Sequence, residues 1–205
     1  MIVLTRSNVL FPARESSVVK VRKGRIHKRR REQAGNISEF AACLLVFFLF
    51  ALFPLINLIF FACNCASVIL ITRDGAAAAS TAPTYTKALA AMQTTVSKDL
   101  TGGIGKFSKL APIGGYLSSG VDLYIVATPI GGGASTVSTA DTVLGAAANT
   151  SLNIYEYRVV SKFTLQPFFP MASVPLLSAI PVVGASTPFT FTAERAVEDA
   201  TGLGN

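Results

Sequence analysis

The hydrophobic pattern of the chain is dominated by one run of 33 residues, between Glu39 and Arg73, that contains no charged side chain. Most positions are Phe, Leu, Ile, Val, Ala or Cys, and Pro54, Asn57 and Asn64 are its irregularities. As a helix rising 1.5 Å per residue the run would measure about 50 Å, against about 30 Å of bilayer hydrocarbon. A core helix of a soluble protein needs neither this length nor this uniformity. The run therefore predicts a membrane-spanning helix that either tilts or leaves the lipid at its far end.

Beyond the run, small residues of high helix propensity predict that helical structure continues into water. They form Ala-rich stretches at 76–79 and 87–92, and Pro83 between these stretches predicts a break. Pairs of glycines at 102–103 and 114–115 predict turns.

Three segments in the second half of the chain are β-rich or alternate polar and apolar residues, as strands do. They cover residues 121–127, 154–165 and 189–196. Five prolines between 167 and 188 argue against a regular element there. The predicted fold is thus α+β, with a long N-terminal transmembrane helix followed by a small antiparallel-sheet domain.

The charges are divided unevenly about the apolar run. Residues 1–34 carry ten Lys or Arg against two Glu, a net charge of +8, whereas residues 35–205 carry eight against nine acidic residues, a net charge of −1. Because basic flanks resist translocation, we expect the N-terminus in the cytoplasm and the C-terminal part beyond the membrane. The predicted organisation is a basic cytoplasmic leader at 1–34, a transmembrane helix at 35–72 and an extracytoplasmic α+β domain at 73–205.

The densest part of the leader, residues 22–31, has a second interpretation as a nucleic-acid-binding arm. No aromatic residue is interleaved with its charges, and it lies next to a membrane span. We therefore interpret the block as a determinant of membrane topology and predict no nucleic-acid partner.

Few side chains suited to catalysis or metal binding lie beyond the apolar run. The single histidine, His27, belongs to the basic block, and the cysteines at 43, 63 and 65 lie within the run. His-dependent triads and His metal sites are therefore excluded from the exported domain. Residues 102–106 lack the first Gly of a phosphate-binding loop and the Ser or Thr that should follow its Lys. We predict no enzyme activity, catalytic residue, metal, cofactor or small-molecule substrate.

The junction between the leader and the run carries the most specific pattern. The basic block is followed by Ala34 and Gly35, and Glu39 and Phe40 open the apolar helix. A carboxylate in hydrocarbon costs roughly 2.5–3.5 kcal/mol on insertion scales, so it generally has a cationic partner unless it lies at the headgroups. The junction resembles the N-terminus of TadE-like minor pseudopilins of the tight adherence (Tad/Flp) pilus, in the type IV pilin superfamily. The resemblance is concentrated in residues 29–80.

The resemblance implies that a prepilin peptidase of the bacterial inner membrane removes the leader at a processing site formed by Ala34, Gly35 and Asn36. Cleavage after Ala34 would make Glu39 the fifth residue of the mature chain, and cleavage after Gly35 would make it the fourth. Glu39 and Phe40 would act in assembly, with Glu39 pairing with the new N-terminal ammonium of a neighbouring subunit. The implied partners are other pilins and pseudopilins, the peptidase and inner-membrane lipid, and the implied exported domain is pilin-like and periplasmic or extracellular.

Three other interpretations stay open. Hydropathy and charge asymmetry alone fit an unprocessed single-pass anchor that carries an extracytoplasmic binding or structural domain. A virion or surface structural protein with a basic inner arm is a further alternative. A lipoprotein would use Cys63, but the two residues before Ala62 are both Phe, where a Leu-like and a small residue are expected.

Overall fold

The computed structural model describes residues 39–171, 173–174 and 177–204. Its first element is helix α1, Glu39–Ser80, and within these ranges α1 is the one helix long and apolar enough to cross a membrane. Pro54 lacks the backbone N–H that a regular helical turn needs, and the turn directly before it, Phe48–Leu52, is π-helical. The long apolar helix predicted from the sequence is therefore confirmed.

The chain divides into two compact units, Met1–Ala51 and Leu52–Asn205. In the first unit the described residues are helical and mostly exposed. The second unit contains the rest of α1 together with the other helices and the sheet. A large part of the apolar run thus belongs to the same compact unit as the sheet.

Two shorter helices follow α1. Helix α2 spans Tyr85–Thr101, and the Thr84 side chain caps it by accepting a hydrogen bond from the Lys87 backbone N–H. Helix α3 spans Gly103–Phe107. Since α1 ends at Ser80, the predicted break near Pro83 is confirmed as the connection 81–84.

Helices α1 and α2 approach closely at Gly75. A Cβ atom at this position would lie 3.1 Å from Val96 Cγ2 and 3.4 Å from Met92 Cγ, both on α2. The absence of a side chain therefore sets the separation of the two helices at this point.

Five strands form one antiparallel sheet, and β4 is its central strand. One edge of β4 pairs with β1 and β2, the other edge pairs with β5, and β3 pairs with β2. The three predicted strands are confirmed and extend one or two residues further, whereas the short strands β1 and β3 were not predicted. The strands are β1 Leu110–Pro112, β2 Val121–Pro129, β3 Thr136–Val137, β4 Asn153–Leu165 and β5 Thr187–Ala196.

The core lies between one face of the sheet and helices α1 and α2. Along β4, every second residue from Tyr155 to Leu165 is buried, as expected for a strand with one face against a core. All of these side chains except that of Ser161 form one hydrophobic cluster with Val68 and Ile71 of α1 and Met92 of α2. The predicted α+β fold, a long apolar helix followed by a small antiparallel sheet, is confirmed.

Candidate functional site

The structure describes only some of the residues predicted for processing and assembly. Ala34, Gly35 and Asn36 lie outside the described residues. Glu39 and Phe40 are the first described residues of α1, where both are exposed and Phe40 retains 67% of its accessible surface. Both lie in the long apolar helix, and their role in assembly stays a prediction.

Apolar side chains surround α1 near its start. Leu45, Val46 and Phe47 are each more than half exposed. Consecutive helical residues point about 100° apart, so this apolar surface is not confined to one face. An exposed apolar surface of this extent marks contact with a membrane or another protein. Its length and composition suit the hydrocarbon of a bilayer.

One face of α1 in the second unit is covered by the described residues of an irregular segment, 166–171, 173–174 and 177–186, which we call the proline loop. The stripe of α1 beneath it recurs at intervals of four, three and four residues, which keeps its members on one side of a helix. The stripe consists of Phe53, Asn57, Phe60 and Asn64.

Aromatic contacts pack the proline loop onto the stripe. The rings of Phe53 and Phe169 lie 5.0 Å apart between centroids, and those of Phe60 and Phe168 lie 5.1 Å apart. Phe168 and Phe169 also meet edge to face at 4.8 Å. Pairs of this geometry add roughly 0.5–1.5 kcal/mol each beyond the burial of their surface.

Asn57 fastens the proline loop at two separated points. Its side chain is fully buried, and Nδ2 donates hydrogen bonds to the carbonyl oxygens of Phe169 at 3.0 Å and Val183 at 2.6 Å. Its Oδ1 accepts a hydrogen bond from the Phe169 backbone N–H at 2.9 Å. One amide therefore satisfies three backbone groups of an irregular segment.

Asn64 occupies the same face seven residues later but makes a weaker attachment. Its Nδ2 lies 3.5 Å from the Gln166 carbonyl oxygen, and its buried Oδ1 has no hydrogen-bond partner among the described residues. In the sequence, Asn57 and Asn64 stand out only as irregularities of the apolar run. Their spacing of seven residues, which places both amides on one helix face, is the signal that could have revealed a docking stripe.

Further along α1, a chain of hydroxyl groups joins the helix to the sheet. The Thr72 hydroxyl donates to the Ser161 hydroxyl on β4 at 2.7 Å, and Ser161 donates in turn to the Phe191 carbonyl oxygen on β5 at 3.2 Å. Thr72 and Ser161 are both fully buried. Each polar group in this part of the core is therefore paired, as a buried polar group must be to avoid a large penalty.

The face of the sheet that points away from the helices carries two ion pairs. Lys162 Nζ lies 3.3 Å from Asp122 Oδ2, and Arg158 pairs with Glu194. A shallow groove of about 400 Å³ lies between α1 and β5, where it is lined by Arg73, Ala76 and residues 191–195. Ion pairs near a protein surface stabilise a fold by at most about 1 kcal/mol, so these two pairs contribute little to the stability of the sheet.

Tyr157 and Asp141 of the second unit have shifted pKa values, and burial is the main cause of both shifts. Burial raises the pKa of Tyr157 to about 12, and burial also raises the pKa of Asp141. Asp141 Oδ1 accepts a hydrogen bond from the Leu123 backbone N–H at 2.8 Å, which occupies the edge of β2. Within the described ranges, no three His, Cys, Asp or Glu side chains converge as a metal site would require.

In comparisons with known proteins, no family model, no curated protein and no solved structure matches the chain. What the chain's own residues support directly is a membrane-anchor architecture, in which an apolar helix precedes a small α+β domain.

Proposed function

We propose that the protein is a single-pass subunit of a tight adherence (type IV-like) pilus or secretion apparatus, similar to a minor pseudopilin. The observation that supports this proposal most is that α1 has two kinds of surface along its length. Near its start the helix is apolar on all sides, and from Val68 to Ala79 it forms one wall of the sheet domain's core. A subunit that leaves a bilayer to pack helix against helix needs both properties in one helix.

In the proposed mechanism, the basic leader stays in the cytoplasm until a prepilin peptidase cuts the chain at Ala34 or Gly35. The new N-terminal ammonium of one subunit then pairs with Glu39 of its neighbour. An ion pair is much stronger in a low-dielectric surrounding than in water. Apolar helix surfaces pack in many axial positions with similar energy, so the ion pair would select one of these positions. The sheet domain would then lie in the periplasm or outside the cell and contact other pseudopilins.

The test is intact mass and N-terminal sequencing of the protein from host membranes, with and without the prepilin peptidase. We expect a mature chain beginning at Gly35 or Asn36 that depends on the peptidase. A chain that keeps its basic leader in both strains would overturn the proposal. Glu39→Gln should leave the cut intact but reduce crosslinking to neighbouring subunits, whereas Glu194→Gln, an exposed change on the sheet, should affect neither.

One observation favours the second candidate, an unprocessed anchor for an extracytoplasmic domain. The proline loop is fastened to the apolar run by the buried Asn57, an attachment that suits a domain kept permanently at the membrane. The same mass measurement separates the candidates, since the anchor retains residues 1–34.

A further inference from the structure

We propose that the proline loop is a second membrane contact: it lies in the bilayer interface on the side of the sheet domain, where Phe168 and Ile180 touch lipid. This inference requires α1 to span the membrane but does not depend on leader processing or on assembly into a pilus.

The position of the loop along α1 places it beside lipid-facing residues. Leu55, Leu58 and Ile59 lie on the turns that carry the loop, and each is at least half exposed. The ring of Phe168 packs at a tilt against that of Phe60, the next residue along the helix, and Phe168 is itself 44% exposed. If the bilayer covers the exposed side of these turns, it also reaches the loop that covers the other side.

Helix length requires the bilayer to reach these turns. At 1.5 Å per residue, the helical segment 39–51 is about 20 Å long, whereas a bilayer's hydrocarbon is about 30 Å thick. About 20 helical residues are needed to cross it, so a span that begins at Phe40 ends near Ile59. Asn57 and the loop residues that it binds therefore lie at the far boundary of the hydrocarbon.

The loop's backbone is adapted to that boundary. Irregular backbone is tolerated at membrane depth only where its polar groups are satisfied within the protein. Asn57 satisfies three of these groups, and the Gly184 N–H donates to the Ile180 carbonyl oxygen at 2.9 Å. Pro167, Pro170 and Pro181 have no N–H to satisfy.

A cation lies at the rim of the loop. Lys109 Nζ donates a hydrogen bond to the Phe168 carbonyl oxygen at 3.2 Å and lies 5.5 Å from the centre of the Phe168 ring. A lysine beside an exposed aromatic ring suits a lipid surface, where a long basic side chain keeps its stem in apolar surroundings while its charge meets anionic headgroups. The exposed Phe168 and the cation beside it thus fit lipid better than they fit the apolar surface of a protein.

The experiment uses the absence of tryptophan from the natural chain. Phe168→Trp and Ile180→Trp each place a single tryptophan on the loop, and Leu152→Trp is the matched control. Leu152 is 63% exposed and directly precedes β4, whereas Phe168 follows it. Because β4 is about 40 Å long at 3.3 Å per residue, the two probes lie at opposite ends of the sheet domain. Each full-length variant is reconstituted into vesicles of phosphatidylcholine and phosphatidylglycerol, with or without acyl-brominated phosphatidylcholine.

We expect brominated lipid to quench both loop tryptophans several-fold more than the control, and aqueous iodide to quench the control several-fold more than the loop. Equal iodide quenching at all three positions would overturn the proposal, because the loop would then be in water. Loop emission shielded from both quenchers would also overturn it and would indicate a protein cover, such as a second copy. If the tryptophans at 168 and 180 are quenched to the same extent, the result does not come from a local structural change caused by one of the substitutions.

Discussion

Two parts of helix α1 are covered in different ways. From Phe53 to Asn64 the cover is the irregular proline loop, fastened chiefly by one buried amide and two aromatic pairs. From Val68 to Ala79 the cover is a sheet and a second helix, with close backbone approach at Gly75. The comparison teaches that one helix can be held by distributed packing along one part and by a few specific contacts along another. The sheet and the second helix should separate from α1 only when the whole domain unfolds, whereas the proline loop should open locally.

Removing a core side chain from the sheet part should have the largest effect. Phe163 is fully buried on β4, so Phe163→Ala should lower the free energy of unfolding by about 3–5 kcal/mol. The measurement is denaturant unfolding in detergent micelles, followed by circular dichroism. Phe168→Ala, which truncates a 44% exposed ring of the loop, is the control and should cost much less. Equal losses would show that the loop and the sheet unfold as one cooperative unit.

Overpacking the contact between α1 and α2 should have the next largest effect. Gly75→Leu drives a side chain into Val96 and Met92, and overpacking of this kind typically costs about 1–3 kcal/mol. Gly75→Ala adds only the Cβ, which lies 3.1 Å from Val96 Cγ2, so it should cost less than Leu. The same unfolding experiment checks both variants, and a Leu variant as stable as the natural chain would contradict the close packing described here.

Removing the amide beneath the loop should have a smaller and local effect. Asn57→Leu keeps the side-chain size but leaves three loop backbone groups without their partner, so amide hydrogen exchange in 166–186 should accelerate while β4 stays protected. Asn64→Leu is the matched control, because it removes one long hydrogen bond and an unpaired oxygen. If Asn64→Leu accelerates exchange in the loop as much as Asn57→Leu, the specific role of Asn57 is wrong.

The smallest expected effect is a pH dependence confined to the sheet part. Burial raises the pKa of Asp141 in the folded state, so its contribution to stability is full at acidic pH and is lost as pH rises through that raised pKa. Asp141→Asn keeps an oxygen for the Leu123 N–H and removes the charge. The melting temperature of the variant should therefore depend less on pH between acidic and neutral conditions, and an unchanged pH profile would argue against this assignment.

Local patterns allowed the regular elements of this chain to be predicted. The uncharged run predicted α1, and alternation predicted β2, β4 and β5 to within two residues, because period and composition are visible in short windows. Strands β1 and β3 have three and two residues, too few for any period to show. They form because neighbouring strands supply hydrogen-bond partners, and those partners lie elsewhere in the sequence.

The candidate site was predictable only in part, for a related reason. Glu39 and Phe40 stand out because charge and apolarity meet abruptly in the sequence, and the structure places both in helix α1. The attachment of the proline loop joins positions 112 and 126 residues apart. No local pattern specifies which turn of an apolar helix an irregular segment will cover. The asparagines at 57 and 64 are the only local indication of this attachment in the sequence.

The attachment at Asn57 also has a consequence for the order of events during synthesis. At about 5–20 residues per second, the ribosome needs on the order of ten seconds to pass from Asn57 to Val183. A helix α1 that inserts into the membrane during this time does so before Val183, one of the two loop residues that the amide binds, has been made. Docking of the proline loop can therefore be completed only after such insertion, and a nascent chain halted before residue 183 would leave one hydrogen bond of Asn57 Nδ2 unmade.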